Sequence, residues 1–401
     1  MKNVLFISDS FTTAIRLIPV YIESKKDNSL NSFFFTTSVA DRSLKELFAE
    51  HNIDYITAED VWTDNDKLEL KSLINQYSNI YLKETSNCNP YSLEYKGVPL
   101  LSAVQKLLLE LNTGKITYFF LFDKIVKLIS PDILVVAYDS GGSKKSYVNR
   151  ARQLGIKTLH VQYSYYPQKL PFERKRLNSE YYCLWGESHL EPFLQGTQDN
   201  NKVFFTGNPA FDVHNYNRSK LRSELGLTEN NKVFLVAISN DWNEISRFIR
   251  ESADLKLHGN EVFLFKLHPD FYLRTKEAAA MLKKTSLNYM LFGTEISGYK
   301  AIVASDYVFA FYPDGFWIES YYYKKPSIRV HGPIERQPKI EFDFLEGTYI
   351  SINNVAEINM LTELDKNIDW DKHSEACKQL FYKVDYCASK RIVTAIKTIL
   401  T

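Results

Sequence analysis

Cysteine is scarce in this chain of 401 residues, with Cys88, Cys183, Cys377 and Cys387 making up the whole complement. No two are spaced as CxxC, and no Cys/His cluster has zinc-ligand spacing. That excludes a disulfide scaffold and a structural zinc site, and it predicts free thiols in a reducing cytoplasm. A dominant charge is missing as well: 49 basic residues stand against 48 acidic ones, so no global field recruits nucleic acid. Long apolar runs are absent. The longest, Ile116 to Phe122, is far short of a membrane span. The opening residues Met1 to Ser8 pass directly into a strand pattern, without the apolar core and small-residue cleavage site of a signal peptide. There is no solenoid-length repeat, no low-complexity tract and no convincing DxD metal motif.

What is present is the composition of a folded globular protein, 45% apolar and 24% charged, with a length that suits two domains. Aromatics reach 14%, including 26 Tyr, a residue that packs in cores and also stacks on sugar rings. Along the first half, short apolar runs alternate with helical periods. Strands are predicted at Val4–Ser8, Ser32–Ser38, Ile53–Thr57 and Asn79–Leu82, and helices at Leu100–Leu111 and Ile116–Ile129. Pro131–Ala137, Ser143–Leu154 and Lys157–Val161 read as one strand–helix–strand unit, which implies a right-handed parallel crossover. A second alternating series starts after Asp212 with Lys232–Ile238. The reading is therefore α/β, two Rossmann-like doubly wound domains facing a central cleft. The expected division is 1–212 for an acceptor-side domain, 213–373 for a nucleotide-sugar domain, and 374–401 for a terminal helix returning to the first domain.

Sheets of this kind bind ligands at the carboxyl ends of their strands, so the loops there carry the candidate chemistry. Asp139, in Tyr138-Asp139-Ser140-Gly141-Gly142, follows a buried strand and suits a general base or nucleophile, or else a helix N-cap. Gln162, Tyr163 and Tyr165 end the next strand and are candidates for the acceptor, with the basic run Arg174-Lys175-Arg176 downstream. In the second domain Ser239 and Asn240 are placed to touch phosphate, and Asp241 to reach the anomeric carbon or cap a helix. His268 can donate to a phosphate oxygen, aimed by Pro269. Asp314 and Gly315 open a helix whose N–H groups form an anion site, and Glu319, one turn in, can accept from both ribose hydroxyls. The nucleobase is expected near the loop after Phe292 or near Ser305.

At these residues the chain resembles the GT-B superfamily that holds UDP-N-acetylglucosamine 2-epimerase and bacterial capsule, teichoic-acid and lipopolysaccharide transferases. Pro131 to Val161 is similar to the epimerase strand, Gly-Asp-Thr, helix and strand, with Asp139 on the aspartate. Trp185-Gly186-Glu187 and Thr206-Gly207-Asn208-Pro209-Ala210-Phe211-Asp212 resemble motifs of surface-polysaccharide enzymes. His268-Pro269-Asp270 resembles the His-Pro of sialyltransferases, glycerophosphate transferases and capsule Kdo transferases. The likeness spans about residues 130–330. The chain also departs from the pattern. Gln162 stands where epimerases carry an acid, Ser239-Asn240-Asp241-Trp242 replaces their His-Arg-Arg-Glu-Asn, and the Ser-Ser pair of sialyltransferases has no clear match.

The resemblance implies a glycosyltransferase moving a sugar from a nucleotide donor to a growing bacterial lipopolysaccharide or capsule glycan. Kdo or a related CMP-activated acid sugar is the first expectation, followed by UDP-sugars and CDP-glycerol. No cofactor beyond the donor itself and no metal are expected. Partners are a nucleotide sugar and a lipid-linked or oligosaccharide acceptor, at the inner face of the cytoplasmic membrane. A nucleotide-sugar 2-epimerase and a non-catalytic sugar-nucleotide-binding subunit are the alternatives.

Overall fold

The alternation of apolar runs and helical periods becomes two parallel sheets. The computed structural model describes residues 1–37, 42–86, 94–95, 98–139, 141–165, 177–194, 202–238, 241–311, 315–331, 343–360, 366 and 368–401. In chain order the strands begin with β1 (Lys2–Ile7), β2 (Leu30–Thr36) and β3 (Ile56–Thr57), then a small antiparallel pair, β4 (Glu94–Tyr95) and β5 (Val98–Pro99). There follow β6 (Ile133–Val136), β7 (Lys157–Val161), β8 (Tyr181–Leu184) and β9 (Val203–Phe205). The second half supplies β10 (Lys232–Ala237), β11 (Glu261–Lys266), β12 (Tyr289–Phe292), β13 (Tyr307–Ala310), β14 (Ser327–Val330) and β15 (Ile350–Ile352). The first sheet has the order β3-β2-β1-β6-β7-β8-β9 and the second β12-β11-β10-β13-β14-β15.

β1 pairs in parallel with β2 on one side and β6 on the other, Val4 opposite Ile133. β10 does the same with β11 and β13, Phe234 opposite Tyr307. Strands covered by helices on both faces read as continuous apolar runs, which is why Ile133-Leu134-Val135-Val136 is buried throughout. In each sheet the chain reverses its direction of winding beside the central strand, and a crevice opens there at the carboxyl edge. These are the β1/β6 and β10/β13 positions.

The helices that shape these crevices are α1 (Phe11–Ser24), α2 (Asp64–Thr85), α3 (Leu101–Ile129), α4 (Gly142–Gln153), α5 (Gly298–Ala304) and α6 (Gly315–Tyr322), followed by α7 (Trp370–Phe381) and α8 (Ala388–Leu400). Three expectations are corrected. Asn79–Leu82, read as a strand, lies inside α2, whose start is set by a capping box in which Thr63 and Asp66 bond each other's backbone N–H. Leu100–Leu111 and Ile116–Ile129 are one helix, α3, running through Gly114. The single terminal helix is two, because Tyr382 and Tyr386 take positive φ of 60° and 54° and turn the chain between α7 and α8. The last helix lies against α1, and Lys397 bonds Asp27 at 2.7 Å. Among the described residues no helix is long and apolar enough to cross a membrane.

Candidate functional site

The two carboxyl edges meet through α1, which follows β1, and α6, which follows β13. Arg16 on α1 donates to Glu319 on α6 at 2.7 Å and to the Tyr299 hydroxyl on α5, while Tyr299 itself donates to Glu319 at 3.0 Å. The Arg16 and Glu319 side chains are only 9% and 12% exposed. Burial works against the Arg16 charge, but Tyr299 and Glu319 together outweigh it and hold the guanidinium charged. His214 stacks on the Tyr299 ring at 4.3 Å, and burial pushes its imidazole down to about 3, so it stays neutral. Glu319, expected to hold ribose, therefore has its Oε1 oxygen engaged in a contact between the two halves of the molecule.

The carboxylate of Asp139 is equally committed, and in the interior. Its side chain is fully buried, and Oδ2 accepts from the Asn178 N–H at 2.9 Å, the Ser179 N–H at 2.8 Å and the Ser179 hydroxyl at 2.7 Å. His160 Nδ1 lies 3.2 Å from Oδ1. Burial alone would raise this carboxyl, but His160 and the Ser179 donors outweigh it and hold it below the usual range. Asp139 thus pins the segment entering β8 instead of facing the cleft as the expected base or nucleophile. Gln162, an expected acceptor residue, is fully buried too. Its amide accepts from the Trp185 N–H at 2.8 Å and donates to the Ser164 carbonyl at 2.7 Å, so it closes the turn after β7. Tyr163 and Tyr165 remain partly exposed, and Tyr163 meets Tyr138 edge to face at 5.3 Å.

In the second half, His268 ends β11 with its side chain 38% exposed. Its Nδ1 accepts from the Asp270 N–H at 3.3 Å, capping the short helix that starts at Pro269, and lies 3.4 Å from the Asp270 carboxylate, while Nε2 has no bond among the described residues. Beneath it Lys266 is buried, donating to Tyr272 at 3.0 Å and to the Gly293 carbonyl, which ties the His268 turn to the loop after β12. Burial pushes the Lys266 ammonium down to about 8. Asp241 accepts from the Asn243 N–H at 3.0 Å in the turn before the helix Asn243–Glu251, whose N-cap residue is Trp242 and not Asp241. Gly315 opens α6, and a Cβ built on it meets nothing within 4 Å among the described residues. Ser239, Asn240, Asp314 and the run Arg174–Arg176 lie outside the described residues. Among the described residues no group of His, Cys, Asp and Glu is placed to hold a metal ion.

No family profile matches the sequence, and no curated relative matches it. Solved structures do. The UDP-GlcNAc 2-epimerase of Neisseria meningitidis, solved bound to UDP-GlcNAc, aligns at TM-score 0.63 and 16% identity over 99% of this chain and 100% of its own. A glycosyltransferase from Rickettsia africae aligns at 0.55 and 14%, covering 99% and 98%. HepE of Anabaena, solved with UDP and glucose, aligns at 0.53 and 12%, covering 99% and 100%. The chain has the GT-B fold. At such identities the likeness speaks for the fold, and what these proteins bind remains theirs.

With that fold in view, the two motifs Trp185-Gly186-Glu187 and Thr206 to Asp212 serve as seats for the returning helices. Trp185 packs on Phe381, Ser188 donates to the Gln379 carbonyl at 2.9 Å, and a Cβ on Gly186 would stand 2.2 Å from that same oxygen. Asp212 accepts from the Ser389 and Ala388 N–H groups at the start of α8. Sequence reasoning missed Arg16, although it stands alone among apolar neighbours on its helix.

Proposed function

We propose that the chain binds a nucleotide-activated sugar across the two facing crevices and transfers the sugar to an acceptor hydroxyl. The observation that carries the reading is that a part-exposed imidazole at the end of β11 and a helix start after β13, unobstructed at Gly315 among the described residues, both lie on the carboxyl edge of the second sheet. An imidazole donor and helix N–H groups suit a diphosphate, whose negative charge builds as it leaves. Uridine diphosphate is the donor nucleotide to try first, because the solved relatives whose ligands are known carry UDP or UDP-GlcNAc. That displaces the CMP-Kdo expectation, which rests on His268-Pro269-Asp270 alone. An acceptor on a surface glycan belongs to the same reading.

Transfer is favoured over 2-epimerisation by the carboxylates of the cleft. Epimerisation needs acid and base groups to move a proton on the sugar itself. Asp139 is buried and Glu319 is paired, while Gln162 is an amide closing a turn. Epimerisation remains the second reading because an epimerase aligns over the whole of both chains. Proton NMR of UDP-GlcNAc incubated with the protein separates them. Transfer predicts a donor that stays intact apart from slow UDP release, whereas an equilibrating 2-epimer in the absence of acceptor overturns the reading.

A further inference from the structure

At the amino edge of the second sheet, the side away from His268 and α6, lies a cavity of about 370 Å³ lined by Asn230, Asn231, Lys232, Asp306, Tyr307 and Pro326. Lys232 opens β10 and Tyr307 opens β13, so the length of the strands separates this cavity from the carboxyl-edge crevice. Doubly wound sheets bind their ligands at the carboxyl edge, and nucleotide binding does not account for a charged hollow here. Its one carboxylate is heavily engaged. Asp306 accepts from Arg218, from Arg222 Nη1 at 3.2 Å and from the Val233 N–H at 2.8 Å. Arg222, with a side chain 1% exposed, also donates to the Thr228 and Asn231 carbonyls at 2.7 and 2.6 Å, which fixes the turn that forms one wall. Lys325 donates to the Ser305 carbonyl at 2.6 Å and the Val303 carbonyl at 3.2 Å, at the carboxyl end of α5. Burial, and then the charges of Arg218 and Arg222, push its ammonium down to about 8, against the pull of Asp306. Lys232 lies with Nζ 5.3 Å from the centre of the Tyr307 ring and has no carboxylate partner among the described residues. Four cations thus surround a single acid. Of the other acids on this stretch, Glu224 stands 4.0 Å from Lys220, and Glu229 is exposed on the turn. Arg218 and Arg222 each keep a buried Nε without a partner among the described residues, so donors as well as charge are in surplus. An anchoring ion pair needs one cation for its acid; a surplus beside a cavity is the arrangement of an anion site.

We propose that this cavity is a second ligand site, separate from the cleft, that takes a small hydroxylated phosphomonoester of the size of a hexose phosphate. Lys232 and Arg218 meet the phosphate, the amides of Asn230 and Asn231 meet hydroxyl groups, and Tyr307 and Pro326 supply the apolar wall against which a sugar ring packs. The volume falls within the range of about 300–1,000 Å³ that small-molecule sites occupy. Arg222 and Asp306 are the positioning residues. Arg222 holds the wall of the turn, and Asp306 holds Arg218 and the start of β10. The site stands independently of the transferase reading, since none of its residues belongs to the cleft.

Titration calorimetry of the full chain with glucose 1-phosphate and glucose 6-phosphate tests it, with glucose and inorganic phosphate as controls. Lys232→Ala removes a partly exposed cation that no other side chain depends on, so the fold is retained. His268→Ala serves as the control for the cleft. At least one of the two hexose phosphates is expected to bind the wild type, and to bind more tightly than either control. Its affinity falls roughly tenfold in Lys232→Ala, as for the loss of a charged hydrogen bond, and stays within about twofold in His268→Ala. It also weakens as salt is raised. No binding of either hexose phosphate overturns the proposal, as does inorganic phosphate binding equally well, which would show an adventitious ion only. An affinity unchanged in Lys232→Ala, or lost in His268→Ala, places the ligand elsewhere and overturns it too.

Discussion

Three donors converge on one oxygen of Asp139: the N–H of Asn178 and the N–H and hydroxyl of Ser179. An asparagine there removes the charge facing His160 and leaves at least one buried donor short of a full partner. Losses of this kind run to about 2–4 kcal/mol. Asp139→Asn is therefore expected to unfold at a clearly lower urea concentration, with the slope of the transition unchanged. An unaltered midpoint would show that the carboxylate is not the anchor of this segment. From sequence, Asp139 read as a cleft carboxylate because its position after a strand was legible. Its burial was not, since that depends on Ser179 and His160, which reach it from elements that sequence reading could not fold onto it. Gln162 has the same history. His268 was legible in both respects, because a strand-end residue followed by proline has little choice of turn.

Strand and helix periods were read correctly where an element is buried on a defined face, as in β6, α4 and β7. They failed where the apolar pattern runs on through a change of backbone. Leu380, Phe381, Val384 and Ala388 keep helical spacing across Tyr382 and Tyr386, yet both tyrosines adopt left-handed backbone and the helix breaks. Asn79–Leu82 carries β-prone residues, but the Thr63–Asp66 capping box and the surrounding helix decide its state. The motif glycine Gly186 belongs to this scale, since the space beside its Cα is taken by the backbone of α7. A methyl group there has no flexible neighbour to displace. Gly186→Ala should lower stability by about 1–3 kcal/mol through overpacking, and calorimetric melting will show it as a reduced Tm. A Tm at or above wild type would mean that α7 is not seated on this motif.

At the scale of the molecule, the fold was legible because two series of alternating elements demand two doubly wound sheets. How the sheets are coupled was not, since Arg16 and Glu319 are 303 positions apart and neither forms part of a local pattern. Their buried pairing joins the domains at the base of the cleft. It engages one oxygen of the carboxylate expected to hold ribose. The central claim is that a nucleotide sits in this cleft with a phosphate against His268. Isothermal titration of the wild type and of His268→Ala with UDP, CDP and CMP tests it most directly. Because His268 is partly exposed and caps only a short turn, its loss should leave the fold intact. The account predicts one UDP site per chain in the wild type, weakened roughly tenfold in His268→Ala, as befits the loss of a hydrogen bond to a charged group. Absence of binding for all three nucleotides, or equal UDP affinity in the two proteins, would contradict it.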